Sequence, residues 1–149
     1  MIKIKKGLNI PITGAPISRV DRGNSVQSVG ITGPDFIGMK PTMLVQEGDY
    51  VKTGQPLFEC KKNPGVIYTA NATGKVLGIK RGQKRVFQTI EISVGEENPI
   101  VFVNYTTKAP ESYSSDEVRA LLIESGMWPC FRQRPFEKTP PIAGRAHSI

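Results

Sequence analysis

Turn chemistry interrupts this chain so often that only short strands fit between the breaks. From residue 42 to residue 105 the apolar runs TMLV, PLFEC, VIYTA, KVLGIKRG, VFQTIEISV and IVFVNY are separated by E-G-D, K-T-G, N-P-G, A-T-G, R-G-Q and E-E-N-P. Runs of this length, rich in Val, Ile, Tyr and Phe and bounded by turn formers, read as strands. SVQSVGI at residues 25–31 is a further strand, and MIKIKKG alternates apolar and charged residues with the period of a half-exposed one. Between them LNIPITGAP is broken by Pro11, Gly14 and Pro16, which suits extended chain but not a central strand. The 15 glycines and 12 prolines fit a turn-rich β protein. A sandwich or small barrel is expected over residues 1–105.

After Tyr105 the organisation changes. A polar, proline-containing linker leads into SDEVRALLIESG, the one clear helix signal. Ser114 can cap it, and Glu117 three residues on can reach back to complete a capping box. Val118, Leu121 and Leu122 recur at helical spacing, and Ser125, Gly126 and Pro129 close the segment. So short an amphipathic helix cannot bury its own apolar face, so it must dock on the β domain or open another domain. The remainder, CFRQRPFEKTPPIAGRAHSI, has no period. Residues 106–149 are therefore expected to be a linker, a helix and the extended start of a second, truncated domain.

Bulk properties narrow the function classes. A hydrophobic share of 38% with 22% charged residues supports a packed core. No apolar run reaches the length of a membrane span, and the N-terminus lacks the apolar stretch of a secretory signal, so a cytoplasmic location is expected. Cys60 and Cys130 form no C-x-x-C pair, and with His147 as the single histidine no zinc set can be assembled. Two reduced structural thiols are the expectation. No nucleophile–base pair or carboxylate dyad stands out, so catalysis within this chain is not expected. The net charge of +7 suits nucleic acid, an anionic membrane surface or an acidic protein without choosing among them.

The stretch EGDYVKTGQPLFECKKNPGVIYTANATGKV, residues 47–76, has two halves of similar shape, with Gly48, Gly54 and Gly74 where turns need a positive φ or close backbone approach. This pattern resembles biotinyl/lipoyl-type domains, flattened barrels of two facing sheets (barrel-sandwich hybrids). Carriers of that type present a modifiable lysine at the hairpin apex. Here the apex falls on Asn63-Pro64-Gly65, a good turn in its own right, while Lys61 and Lys62 are placed on the rising strand. No covalent biotin or lipoate is therefore expected. The two lysines read most simply as solvated loop charges, and more sharply as contacts for an anionic ligand or partner.

Longer segments carry a more particular resemblance. IKIKKGLNIPITGAP, IGMKPTMLVQEGDYVKTGQPLFECKKNPGV, GKVLGIKRGQKRVFQTIEI and LLIESGMWPCFRQRPFEK together resemble the N-terminal part of the A subunits of the Na+-translocating NADH:quinone oxidoreductases, the Nqr complexes. The C subunits of Rnf complexes and the flavoprotein subunit of respiratory complex I are more distant in domain type. The resemblance implies a peripheral subunit on the cytoplasmic face of a bacterial inner membrane, in a complex that oxidises NADH, reduces ubiquinone and exports Na+. Its partners would be other subunits, membrane-embedded ones included, and ubiquinone would be the substrate of the complex. It makes residues 106–149 the linker, first helix and extended start of a truncated α/β (Rossmann-like) domain, and it implies no flavin or metal in this chain. The sequence agrees in having no G-x-G-x-x-G.

A quinone site needs an apolar wall and a donor near a carbonyl oxygen, where reduction builds negative charge. GPDFIGMKP offers Phe36, Ile37 and Met39 beside Lys40; MWPCFRQRPFEK interleaves Trp128, Phe131 and Phe136 with Arg132, Arg134 and Lys138. Phe36, Met39, Phe131, Arg134, Phe136 and Lys138 are the candidate quinone residues, and the two segments are expected to approach each other. The plainer readings are that Phe36 plugs the barrel end and that the second segment packs on its own domain. A nucleic-acid module, with KRGQKR and FRQRPFEK as a basic groove, is the alternative from another class, but like charges in a hairpin turn are usually solvated, so no nucleic-acid partner is expected. A purely structural docking domain is the third possibility.

Overall fold

The computed structural model describes Gly7 and residues 13–144. The strand expected in MIKIKK, and His147, lie outside the described residues. Among the described residues seven strands form: β1 (Ser28–Thr32), β2 (Pro41–Met43), β3 (Tyr50–Val51), β4 (Pro56–Cys60), β5 (Ile67–Thr69), β6 (Gly74–Arg81) and β7 (Phe87–Ser93). One sheet has the order β1-β7-β6-β3 and the other β2-β4-β5, with every pairing antiparallel. The two sheets share one core, which is the expected barrel-sandwich hybrid.

The core follows from inward alternation with one break. Ile90 and Ile92 point in from β7 and Val76 from β6, while Lys75 and Leu77 face out. In β4 the neighbours Leu57 and Phe58 are both buried, because the register shifts between Pro56 and Phe58 and turns two successive side chains inward. Phe58 then stacks on Tyr68 at 4.6 Å and meets Phe87 edge-on at 5.1 Å. Gly74 shows why one turn demands glycine. A Cβ there would collide with the Ser93 carbonyl oxygen, so the start of β6 can approach the end of β7 only with no side chain.

Helix α1 (Ser115–Glu124) has the predicted capping box: Ser114 Oγ accepts from the Glu117 N–H and the Glu117 carboxylate accepts from the Ser114 N–H. It ends in a Schellman motif, with Met127 N–H bonded to Leu122 O, Gly126 N–H to Ile123 O, and Gly126 at φ +71°. Leu122 and Ile123 pack on the barrel core, and Trp128, just past the helix, is buried within it. The helix therefore docks on the β domain.

Two expectations fail. IVFVNY is not a strand: Val101 and Val103 project into solvent, and Ile100 N–H alone bonds back, to Thr53 O. The N–H groups of Val103 and Asn104 turn to the Glu124 carboxylate at 2.5 and 2.8 Å, a local acceptor that competes with any sheet edge. Nor do Lys61 and Lys62 lie on a strand. Cys60 N–H closes onto Val66 O, so the chain leaves β4 at Cys60 and both lysines belong to the turn.

Candidate functional site

At the end of the barrel where β4 turns into β5, three pieces of chain enclose a cavity of about 270 Å³. The first is the loop carrying Ile37, Gly38 and Met39. The second is the hairpin itself, with Cys60, Lys62, Asn63, Val66 and Tyr68. The third is the extended stretch of Lys138, Thr139 and Pro141. Turn residues do the positioning. Lys61 N–H donates to Lys40 O at 2.8 Å and holds the first loop to the hairpin. Asn63 Nδ2 and Trp128 Nε1 both donate to Pro140 O at 2.9 Å, clamping the third piece over the apex. Gly65, at φ +84°, lies so close to Ile142 that a Cβ would meet its Cδ1 at 2.7 Å. The apex on which carriers present a lysine is thus tied on one side to downstream chain, while Pro64 and Gly65 stay exposed.

The cavity wall is chemically mixed. Ile37, Met39 and Val66 supply apolar surface, and Lys62, Lys138, Asn63, Thr139 and Tyr68 supply polar groups. Burial pushes the Tyr68 phenol above its ordinary pKa; the Thr139 hydroxyl pulls it down, Cys60 adds to the rise, and the Arg132 charge pulls slightly down. Tyr68 is therefore a neutral O–H donor at physiological pH. Cys60 is a buried free thiol and Cys130 an exposed one. Among the described residues no group of three His, Cys, Asp or Glu side chains is placed to hold a metal ion.

The two predicted segments do meet. Arg132 Nη2 donates to Asp35 O at 3.1 Å, and its guanidinium lies 5.1 Å from the Phe36 ring centre. Their six candidate residues separate on contact with the fold. Met39 and Lys138 line the cavity. Phe36 packs edge-on against Tyr68 at 4.7 Å and serves the core, as the plainer reading had it. Phe131 leans on Trp128 at 5.5 Å. Arg134 and Phe136 sit on an exposed hairpin, closed by a bridge between Gln133 and Lys138, where Arg134 pairs with Glu137 at 3.0 Å. Neither faces the cavity.

Cys60, Asn63, Val66, Tyr68 and Thr139 were not legible as site residues. They flank K-K-N-P-G, whose turn chemistry draws the eye to the apex and away from the strands beneath it. A second cavity, about 280 Å³, lies at the opposite end beside Thr53, Thr73, Gly95 and Glu97.

Two facing sheets around one core, a hairpin apex tied to downstream chain and a docked helix beyond define a barrel-sandwich hybrid domain continued by a helical segment. Residues 2–95 match the NqrA N-terminal barrel-sandwich hybrid domain, and residues 113–149 match the NqrA second alpha/beta domain. The chain belongs to the NqrA family. Over its whole length it is 50% identical to the A subunit of the Na(+)-translocating NADH-quinone reductase of Haemophilus influenzae (strain PittGG). It is 47% identical to the protein of the same name from Yersinia pseudotuberculosis serotype O:1b. The chain spans 33% of the length of each.

Proposed function

We propose that the chain acts as the N-terminal part of the NqrA component of a Na+-translocating NADH:ubiquinone reductase, where it helps assemble the complex and lines a quinone site. It sits peripherally at the cytoplasmic face, in contact with other subunits including membrane-embedded ones; flavin and hydride chemistry belong elsewhere in the complex. Residues 1–105 form the unmodified barrel and residues 106–149 open the next domain. No helix among the described residues is long and apolar enough to cross a membrane, which suits peripheral attachment.

The observation that carries the quinone role is the cavity beside Met39, Tyr68 and Lys138. Its volume lies just below the usual range of ligand pockets, roughly 300–1,000 Å³, and suits a ring head group without its tail. Ile37, Met39 and Val66 would face the ring. Lys62, Lys138 and the Tyr68 O–H would sit where a carbonyl oxygen gains negative charge on reduction, which fixed donors and cations stabilise. Electrons would arrive from other subunits.

Photolabelling of the intact complex with a reactive ubiquinone analogue tests this. Adducts are expected in peptides covering residues 37–40, 60–68 or 138–141, and Lys138→Met is expected to raise KM for quinone about tenfold while NADH oxidation by an artificial acceptor is unchanged. Labelling confined to other subunits would favour the purely structural docking role, which the clamp of Asn63 and Trp128 on Pro140 also suits.

A further inference from the structure

The charge of this molecule is unevenly placed. The end of β6 and the turn that follows it contain Lys80, Arg81, Lys84 and Arg85 within six residues and no acid. All four are exposed, and among the described residues only Lys80 has an ion-pair partner, Glu91 at 3.0 Å. The turn is well held: Gly82 N–H bonds to Val86 O at 2.8 Å and Arg85 N–H to Gly82 O at 3.1 Å. It lies at the same end of the barrel as the cavity, because Phe87, which follows it, packs against Gly33 at the start of the loop that leads to Ile37 and Met39. Around the cavity Lys40, Lys61, Lys62 and Lys138 are exposed too. The acids at this end are Asp35, Glu59 and Glu137, with Glu47 and Glu91 beside Lys80; Glu137 is paired with Arg134 and Glu91 with Lys80, so the cations still outnumber them. The far end, where β6 begins and β7 ends, carries Asp49, Glu96 and Glu97 against Lys52 and Lys75.

Apolar side chains stand among these cations at the tips of separate turns: Val86 is 62% exposed, Ile37 51% and Phe136 69%. Lys138 Nζ lies over the Phe136 ring at 5.7 Å. Cations spread over several turns, with single apolar residues between them, match no fixed constellation of acids. They do match a surface that offers smeared negative charge with hydrocarbon just beneath it. For a nucleic acid the set is poor, since of these three exposed side chains only Phe136 offers a ring for a base to stack on.

We propose that this basic end of the barrel is a contact surface for an anionic phospholipid bilayer, and that the contact holds the mouth of the 270 Å³ cavity against the lipid. A lipid-soluble substrate would then reach the cavity from the membrane without crossing water. The orientation rests on the reading of the chain as a membrane-peripheral, quinone-lining subunit; the lipid contact itself does not require quinone.

Flotation of the full-length protein tests the contact, using vesicles of phosphatidylcholine alone and vesicles of an equal mixture with phosphatidylglycerol. Binding is expected to the mixed vesicles only and to fall with added salt. The triple variant R81Q/K84Q/R85Q is expected to bind roughly a hundredfold more weakly, at about fivefold per removed charge, while K52Q/K75Q at the far end changes binding less than about threefold. Val86→Asp weakens binding without removing a cation. Thermal melts show whether the variants fold, and all substituted sites are exposed. Equal loss per removed charge in the two variants would mean simple net-charge attraction and would overturn the oriented contact, as would no flotation on the mixed vesicles. Binding of the triple variant unchanged from the parent overturns it as well, and an acidic neighbouring protein of the complex then becomes the partner. Quinone photolabelling of the detergent-solubilised complex contains no bilayer, so its failure rejects the quinone site and leaves the lipid contact standing.

Discussion

Thr73 carries more structure than its size suggests. It is buried, and its hydroxyl accepts from the Thr53 N–H at 3.0 Å and the Asn98 N–H at 3.1 Å while lying 3.2 Å from Asn98 O. The Thr53 hydroxyl is a further partner at 3.0 Å. One oxygen thereby ties the turn after β3 and the loop after β7 to the start of β6. Thr73→Val keeps the shape and removes the oxygen, leaving two part-buried N–H groups without an acceptor. A loss of about 2 kcal/mol is expected in urea unfolding, with Thr73→Ser retaining most of the stability. A change below about 0.5 kcal/mol for the valine variant would mean that water replaces the hydroxyl at once. The glycines of this region were readable, since a positive φ at Gly48 and Gly54 or a collision at Gly74 is local chemistry. Thr73 was not, because its partners lie 20 and 25 residues away and nothing in A-T-G announces them.

At the scale of elements, α1 was the most legible piece and IVFVNY the least. A capping box needs only residues three apart, and Ser114 with Glu117 supplies it. Whether an apolar run becomes a strand depends on a free sheet edge, and the Glu124 carboxylate takes the backbone donors of residues 103 and 104 first. The same acids make the helix end pH-sensitive. The Lys108 ammonium, at 2.7 Å, and the Ser114 groups hold the Glu117 pKa down to about 2 from an ordinary 4.5. The N–H groups of Asn104 and Val103 likewise lower Glu124. A carboxylate depressed in the folded state contributes fully above its unfolded pKa and loses that contribution as pH falls through the folded one. Stability is therefore expected to decline from about pH 4.5 toward pH 2. Glu117→Gln should flatten that slope in a series of acid melts, and Ser114→Ala should cost about 1 kcal/mol at neutral pH. An unchanged slope in the glutamine variant would assign the acid sensitivity to Glu124 or to Glu91, which Lys80 and Ser28 depress.

On the scale of the molecule, the open question is whether the chain beyond the helix belongs to the barrel or merely rests on it. The period-free sequence after residue 130 gave no sign of either, because its anchors are single groups. They are the Trp128 ring, the Asn63 amide on Pro140 O, Arg119 Nη1 on Ile142 O at 2.9 Å and the Ile142 side chain against the core. Trp128 is the single tryptophan of the chain and is 8% exposed, so its fluorescence reports this contact alone. If the contact is part of the core, its emission and the far-UV circular dichroism of the strands should change at the same denaturant concentration, as one cooperative unit. Trp128→Ala should then destabilise the barrel itself by about 3–5 kcal/mol, through the cavity it leaves. Trp128→Phe, which keeps most of the packing but loses the bond to Pro140 O, should cost about 1 kcal/mol beyond the lost volume. A fluorescence change that precedes the circular dichroism transition would show the segment detaching first. In that case the wall holding Lys138 and Thr139 would be a movable flap over the cavity and not a fixed side of it.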